Sequence, residues 1–213
     1  MAIYHFTTKA LSRRTRSTVR AVAYRVGCEL RDNQTGETFS YMKKEVAHVE
    51  LLIPKEAPFW IKEVQALIGK NRQLGVQAFV DKVEATERRI NSRVWREFEF
   101  ALHRELTDAQ NMALAKEFVE DQICSRGMAA LLNFHFDKDT KTDEEKPHCH
   151  VLLTTRSLGE ESFREKVREW DKKTLVCELR EQWAVYSNFH LKLHGHEVQI
   201  DHSSYYEDRK SVV

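Results

Sequence analysis

The chain has 213 residues, 41% hydrophobic and 31% charged, with 7 Gly, 3 Pro and a formal net charge of +1. That length supplies one substantial core, and that composition excludes a disordered or collagen-like polymer and favours long regular elements. No apolar run reaches the ~20 residues that span a bilayer, the opening Met1 to Phe6 lacks the layout of a signal peptide, and four scattered cysteines with no CxxC pair argue against a disulfide framework or thiolate zinc site and fit a reducing cytoplasm.

Taken in chain order, residues 3–8 read as a short strand. Ser12 to Ser17 is polar and leads into a helix expected over residues 18–30. At 100° per residue, Val19, Val22, Ala23, Val26 and Leu30 cluster on one face of that helix. Tyr24 then lies roughly 140° from the centre of the stripe, beside Arg20 and Arg31. Residues 32–37 hold Asn-Gln-Thr-Gly and form a turn. Residues 46–53 have strand character up to Pro54, and residues 59–90 are mostly helical with a break bracketed by Gly69 and Gly75. Residues 96–102 alternate cleanly, with Glu97, Glu99 and Ala101 on one side and Phe98, Phe100 and Leu102 on the other. Thr107 caps a helix running to about Cys124. Strands are expected over 128–136 and 148–155, joined by an acidic hairpin loop. A long helix over 172–193 is stopped by Gly195, and a last short strand covers 197–200. Adjacent hairpin strands with interposed helices predict an α+β fold, with a largely antiparallel central sheet and helices packed mainly on one face.

The net charge conceals an asymmetry. Residues 9–31 contain seven bases, Lys9, Arg13, Arg14, Arg16, Arg20, Arg25 and Arg31, and one acid, Glu29. The rest of the chain is net acidic. A basic segment of this kind is the footprint of a polyanion partner, although a solvated helix face gives the same pattern.

Two motifs carry chemistry. In Pro147-His148-Cys149-His150, residues i and i+2 of a strand present both imidazoles on one side, and the hairpin returns the chain close to His135. Three imidazoles suit a divalent metal and leave coordination positions open, the mark of a catalytic rather than a structural site. Ligating histidines take carboxylate partners on their second nitrogen, a role open to Glu97 or Glu99; an ordinary solvent-facing strand gives the same spacing. Tyr24, a phenol among arginines, is the candidate nucleophile. Tyr205 and Tyr206 are its main competitors. Trp60 and Tyr4 are candidates to stack on bases, against the alternative of core packing.

The segment Met1 to Thr7, Tyr24, the run Glu97 to Leu102, the Pro147-His148-Cys149-His150 strand and the closing Ile200 to Tyr205 together resemble the MobA/MobL-type mobilisation relaxases, within the wider group of nucleases that carry a His-hydrophobe-His metal strand. Cys149 fills the hydrophobe position as a small apolar residue. The resemblance implies one relaxase domain over residues 1–213, either complete or the N-terminal part of a longer protein. It implies a metal-dependent enzyme that nicks and rejoins one DNA strand through a phosphotyrosyl link to Tyr24. His135, His148 and His150 would hold Mg or Mn. Glu97 or Glu99 would orient a ligand or take the tyrosine proton, with Glu99 preferred and the choice open. Lys9, Arg13, Arg14, Arg16 and Arg20 would contact phosphates. The implied partners are single-stranded and hairpin DNA at a transfer origin, with accessory relaxosome and coupling proteins, in the bacterial cytoplasm. Two other readings stand beside it: a rolling-circle replication initiator, which usually places its tyrosine after the histidine strand, and a non-catalytic DNA-binding module with structural or zinc-binding histidines.

Overall fold

Strand β5, Arg93–Ala101, builds two different surfaces from one alternation. Phe98 and Phe100 enter one apolar core and Trp95 enters another, while Glu97 and Glu99 share the Trp95 side. The computed structural model describes residues 4–14, 17–87, 89–138 and 145–202. Ahead of β5 run β1 (Phe6–Ser12), α1 (Thr18–Val26), β2 (Glu29–Arg31), β3 (Thr38–Ser40), β4 (His48–Leu52), α2 (Phe59–Lys70) and α3 (Arg72–Thr86). After it come α4 (Asp108–Gln122), β6 (Ala130–Lys138), β7 (Glu145–Thr154), β8 (Arg156–Leu158), β9 (Phe163–Lys166) and α5 (Lys173–Leu193). Among the described residues, five strands form an antiparallel sheet in the order β1-β5-β7-β6-β4. β2–β3 and β8–β9 are separate two-stranded ribbons.

The α+β class and the antiparallel sheet are as expected. The helices, expected mainly on one face, are divided between both. On one side Phe98, Phe100, Phe134 and Val151 pack against Phe118 of α4 and Trp183 of α5. On the other, Trp95, Leu131 and Leu152 pack against Val22 of α1, Ile61 of α2 and Phe79 of α3. The reason lies in β6 and β7. Leu131-Leu132 and Val151-Leu152-Leu153 are apolar on successive residues, so both faces of the sheet centre need cover. Trp183 is fully buried, its ring centroid 4.0 Å from that of Phe100; burying such a side chain contributes about 4–6 kcal/mol before entropic losses.

Several boundaries differ from the sequence reading. Helix α1 stops at Val26 instead of running to Leu30, because Gly27 takes the left-handed conformation at φ 62° and its N–H closes on Ala23 O. A Cβ at Gly27 would come 2.8 Å from Lys44 O, so the β3–β4 connection packs directly on its backbone. Residues 29–31 therefore leave the helix and become β2. The break between α2 and α3 falls inside the expected bracket of Gly69 and Gly75, at Asn71, whose N–H bonds Leu67 O and whose side chain accepts from Leu74 N. Gly75 serves a different purpose: a Cβ there would lie 2.3 Å from Ile68 N, so it permits the close crossing of the two helices. Residues 197–200 form no strand; Asn188 ties down Ile200 through both its backbone groups. Thr107 does cap α4, in a reciprocal capping box with Gln110.

Candidate active site

Sheet register gathers the chemistry on the α1–α3 face. Glu99, His150 and Asn133 lie opposite one another across β5, β7 and β6, and Ala101, His148 and His135 form the next row. On β1, Thr7 stands against Glu99 and Lys9 against Glu97. The three imidazole centroids form a near-equilateral triangle: 5.1 Å from His135 to His148, 5.2 Å from His135 to His150 and 5.1 Å from His148 to His150.

Their orientation is fixed by acceptors behind them. His150 donates from Nδ1 to Glu97 Oε1 at 2.8 Å, and His148 donates from Nδ1 to the Lys146 carbonyl at 2.8 Å. These acceptors assign the proton to Nδ1 in both rings, the tautomer whose other nitrogen, Nε2, is the ligating one. His135 is fully buried. Burial first, then the positive charge of Lys44 and the two neighbouring histidines, push its pKa down to about 3, against a hydrogen bond with the Arg25 backbone. It is therefore neutral at physiological pH, the form that ligates metal. His148 is only half-buried and gives the group its opening to solvent.

Glu97 is fully buried and held from two sides. Arg25 grips both its oxygens, with Nη2 2.7 Å from Oε2 and Nε on Oε1, and Nη1 of the same guanidinium caps Ala21 O at 2.8 Å. Burial pushes the carboxyl pKa up, but the hydrogen bonds and charges of His150 and Arg25 outweigh it and bring Glu97 down to about 2. Glu99 is half-buried at the rim, 3.3 Å from Lys9 Nζ and 3.7 Å from His150 Nδ1. Burial raises it too, and His150, Lys9 and His148 bring it below the ordinary carboxylate range. The sequence reading preferred Glu99 for orienting a ligand; the carboxylate hydrogen-bonded to His150 is Glu97.

Among the described residues, Glu97, Glu99 and His150 form a group whose ligand atoms all lie within 4.8 Å of one another. This set is the poorer cation site. Both Glu97 oxygens are taken by Arg25, and the His150 nitrogen facing the carboxylates already carries the donated proton. The three imidazoles, with centroids 5.1–5.2 Å apart, are the other candidate set for a divalent ion.

Tyr24 is 48% exposed on α1. It lines a cleft of about 480 Å³ with Arg20, Ala21, Arg25 and Tyr41. Tyr41 meets its ring edge-on at 5.3 Å and 89°, and Lys44 Nζ sits 3.8 Å from the ring centroid. Arg25 joins this cleft to the imidazoles, through its side chain to Glu97 and through its backbone to His135. The expected proximity of Arg20 to Tyr24 is present; Arg31, now on β2, is not among the cleft residues.

The predicted phosphate contacts divide. Arg14 and Arg20 are exposed, and Lys9 is half-exposed beside Glu99. Arg13 is turned inward: Nε donates to Glu84 Oε2 at 2.7 Å, its other nitrogens reach the Glu84 and Glu87 carbonyls, and its side chain is 12% exposed. Its guanidinium serves the fold and is not presented to a phosphate. Arg16, Tyr205 and Tyr206 lie outside the described residues. Trp60 donates to Gly159 O and meets Phe163 edge-on, and Tyr4 donates to Arg180 O, so both rings are engaged within the fold.

Three site residues escaped the sequence reading. Arg25 counted only toward the charge of its segment, although its place directly after Tyr24 was visible. Tyr41 and Lys44 lie in a turn, where no periodicity marks a facing direction. A second basic cleft of about 840 Å³ also went unforeseen; Arg89, Arg93, Arg96, Arg156, Lys166 and Arg168 line it, partly neutralised by Glu87 and Asp171.

The MobA/MobL family model matches residues 16–212. The chain belongs to the MobA/MobL family. A conjugal transfer protein, TraA, of Rhizobium radiobacter is 33% identical over 96% of the chain, and mobilization protein MobL of Acidithiobacillus ferridurans is 30% identical over the same share. The chain spans 20% of the TraA relative and 58% of the MobL relative. A structure solved to explain vancomycin resistance transfer in Staphylococcus aureus superposes with a TM-score of 0.78 at 30% identity, covering 96% of this MobA/MobL chain and all of that one. TrwC complexed with a 27-mer DNA of recognition hairpin and cleavage site superposes with a TM-score of 0.53 at 9% identity over 92% of this chain and 72% of that one, a likeness of fold.

Proposed function

We propose that this MobA/MobL chain is a relaxase domain that nicks one strand of a transfer-origin DNA and later reseals it. The observation that carries the reading is the imidazole triangle, with Nδ1 of two rings donating to acceptors behind them, joined through Arg25 to an exposed tyrosine. Family membership and the likeness to the DNA-bound TrwC structure support it. No described helix is long and apolar enough to cross a membrane. The work would be done in the bacterial cytoplasm, within a longer polypeptide and beside accessory and coupling proteins.

His135, His148 and His150 would hold a divalent ion, Mg or Mn, which when bound neutralises phosphate charge and acts as a Lewis acid. The rest is done by the chain. Arg20 and Arg14 draw the backbone in by charge, and contacts of this kind position a strand without reading its bases. The Tyr24 oxygen attacks phosphorus. A phosphotyrosyl bond forms, the P–O3′ bond breaks, the phenolic proton passes to water or to Glu99 at the rim, and the departing 3′ oxygen takes up a proton. One phosphodiester replaces another, so the energy of the link is kept and the 3′-hydroxyl can reverse the step without ATP. Hydrolysis by water would lose that energy, which is the physical reason to use a side-chain nucleophile.

Labelled single-stranded oligonucleotides tiled across the replicon that encodes the chain, incubated with Mg or Mn and run under denaturing conditions, test the reading. One tile should yield a protein–DNA adduct with the wild type and none with Tyr24→Phe. An adduct that survives Tyr24→Phe removes Tyr24 as nucleophile; absence of any adduct with the wild type sinks the proposal.

A further inference from the structure

The turn that follows β3 packs on the end of α1 and reaches the phenol of Tyr24. Residues 41–44 form a tight turn closed by Lys44 N–H to Tyr41 O at 2.9 Å. Its first and last residues flank Tyr24 from different directions. Tyr41 supplies a ring edge, and Lys44 supplies an ammonium over the ring face, 3.8 Å from the centroid. The turn is itself immobilised. Tyr41 N–H bonds Cys28 O just past the end of α1, the Tyr41 hydroxyl accepts from Arg20 Nε at 3.0 Å, and the Lys44 carbonyl lies against Gly27 so closely that no side chain fits there. Three residues further on, Ala47 N–H bonds Phe134 O, next to His135. The ammonium on the Tyr24 ring also acts electrostatically on His135. It therefore faces both halves of the site.

We propose that Lys44 is a positioning residue for Tyr24: the Tyr41–Lys44 turn clamps the phenol ring, with the ammonium on its face and the Tyr41 ring at its edge. An ammonium on an aromatic face is held by the ring quadrupole, which favours one ring orientation on an otherwise half-exposed helix residue. Orientation of a nucleophile is where small displacements cost rate. The inference rests on the nicking role proposed above, and its test has one arm that needs no DNA.

That arm uses 3-fluorotyrosine at position 24 in the full chain. Lys44→Met should move and narrow the Tyr24 fluorine resonance as the ring gains freedom, and Lys44→Arg should return it toward the wild-type position. An unchanged resonance in Lys44→Met overturns the clamp. The second arm uses the tiled oligonucleotide on which the wild type forms its adduct. Lys44→Met should lower the maximal rate of adduct formation roughly tenfold while leaving half-saturation within about twofold, with Lys44→Arg recovering most of the rate. Weakened half-saturation at an unchanged maximal rate would make Lys44 a phosphate contact only and overturn its positioning role. If no tile reacts with the wild type, the nicking proposal fails, and the fluorine experiment still decides the clamp.

Discussion

His150 donates its Nδ1 proton across 2.8 Å to Glu97, whose carboxylate is buried in the sheet face and gripped by Arg25, the chain neighbour of Tyr24. The arrangement links ring orientation at the imidazole triangle to the seating of helix α1.

Glu97→Gln should show both consequences. The amide keeps the shape but leaves Arg25 without its counter-charge, and breaking one partner of a buried pair costs about 3–5 kcal/mol. Loss of the carboxylate behind His150 should also weaken metal affinity by about 10–100-fold. Urea unfolding measures the first effect and calorimetric titration with Mn the second. Stability within error of the wild type would mean the buried pair contributes little.

Loss of His148 and loss of His135 should both abolish metal binding but differ in what they cost the fold. His148 is half-buried, so His148→Ala should lose Mn binding with little loss of stability. His135 is fully buried, so His135→Ala should lose binding and also destabilise the sheet. In the wild type, Mn at a hundredfold over its Kd should add about 2.7 kcal/mol to unfolding, and a chelator should remove it. A melting temperature indifferent to Mn would argue against the triangle as a cation site.

Arg13 and Arg20, neighbours in the basic segment, should behave differently. Arg20→Ala should weaken DNA binding and reduce its log–log salt slope by about one. Arg13→Ala should leave the slope unchanged and lower stability, because it strands Glu84 among buried groups. Equal salt slopes for the two variants would contradict the inward placement of Arg13.

His103 supplies a pH dependence separate from the site. It is buried against Trp183, and burial first brings its pKa down to about 4, with the Glu105 charge opposing and His190 assisting. The unfolded chain takes up this proton near pH 6.5, while the folded chain does not until about pH 4. Stability is therefore complete above pH 6.5, falls as pH drops through that window and levels off below it, for a total of at most ~3 kcal/mol. Unfolding free energies of wild type and His103→Gln across that range should differ in slope. Parallel curves would show that His103 does not carry the effect.

Much of this could be read before folding was considered. Strand periodicity alone puts His148 and His150 on one side and Glu97 and Glu99 together, and the helical stripe of Val19, Val22 and Val26 turns Tyr24 away from the core. Thr107 announces the start of α4 through its local capping chemistry. These features are legible because each depends on neighbours within a turn or two of chain. The end of α1 at Gly27 is local as well, a left-handed residue whose N–H closes on Ala23 O, and the expected helix ran past it to Leu30 because Leu30 continues the apolar stripe.

The residue types of the site and their facing directions were thus determined by the sequence. Only the tertiary structure decided which partners they meet: Glu97 rather than Glu99 behind His150, Arg13 and Arg25 drawn inward from one basic run, and Lys44 carried over the Tyr24 ring. The division has a physical cause. Backbone periodicity fixes direction within an element, but a long charged side chain settles on whichever buried opposite charge the packing of distant segments leaves within its reach.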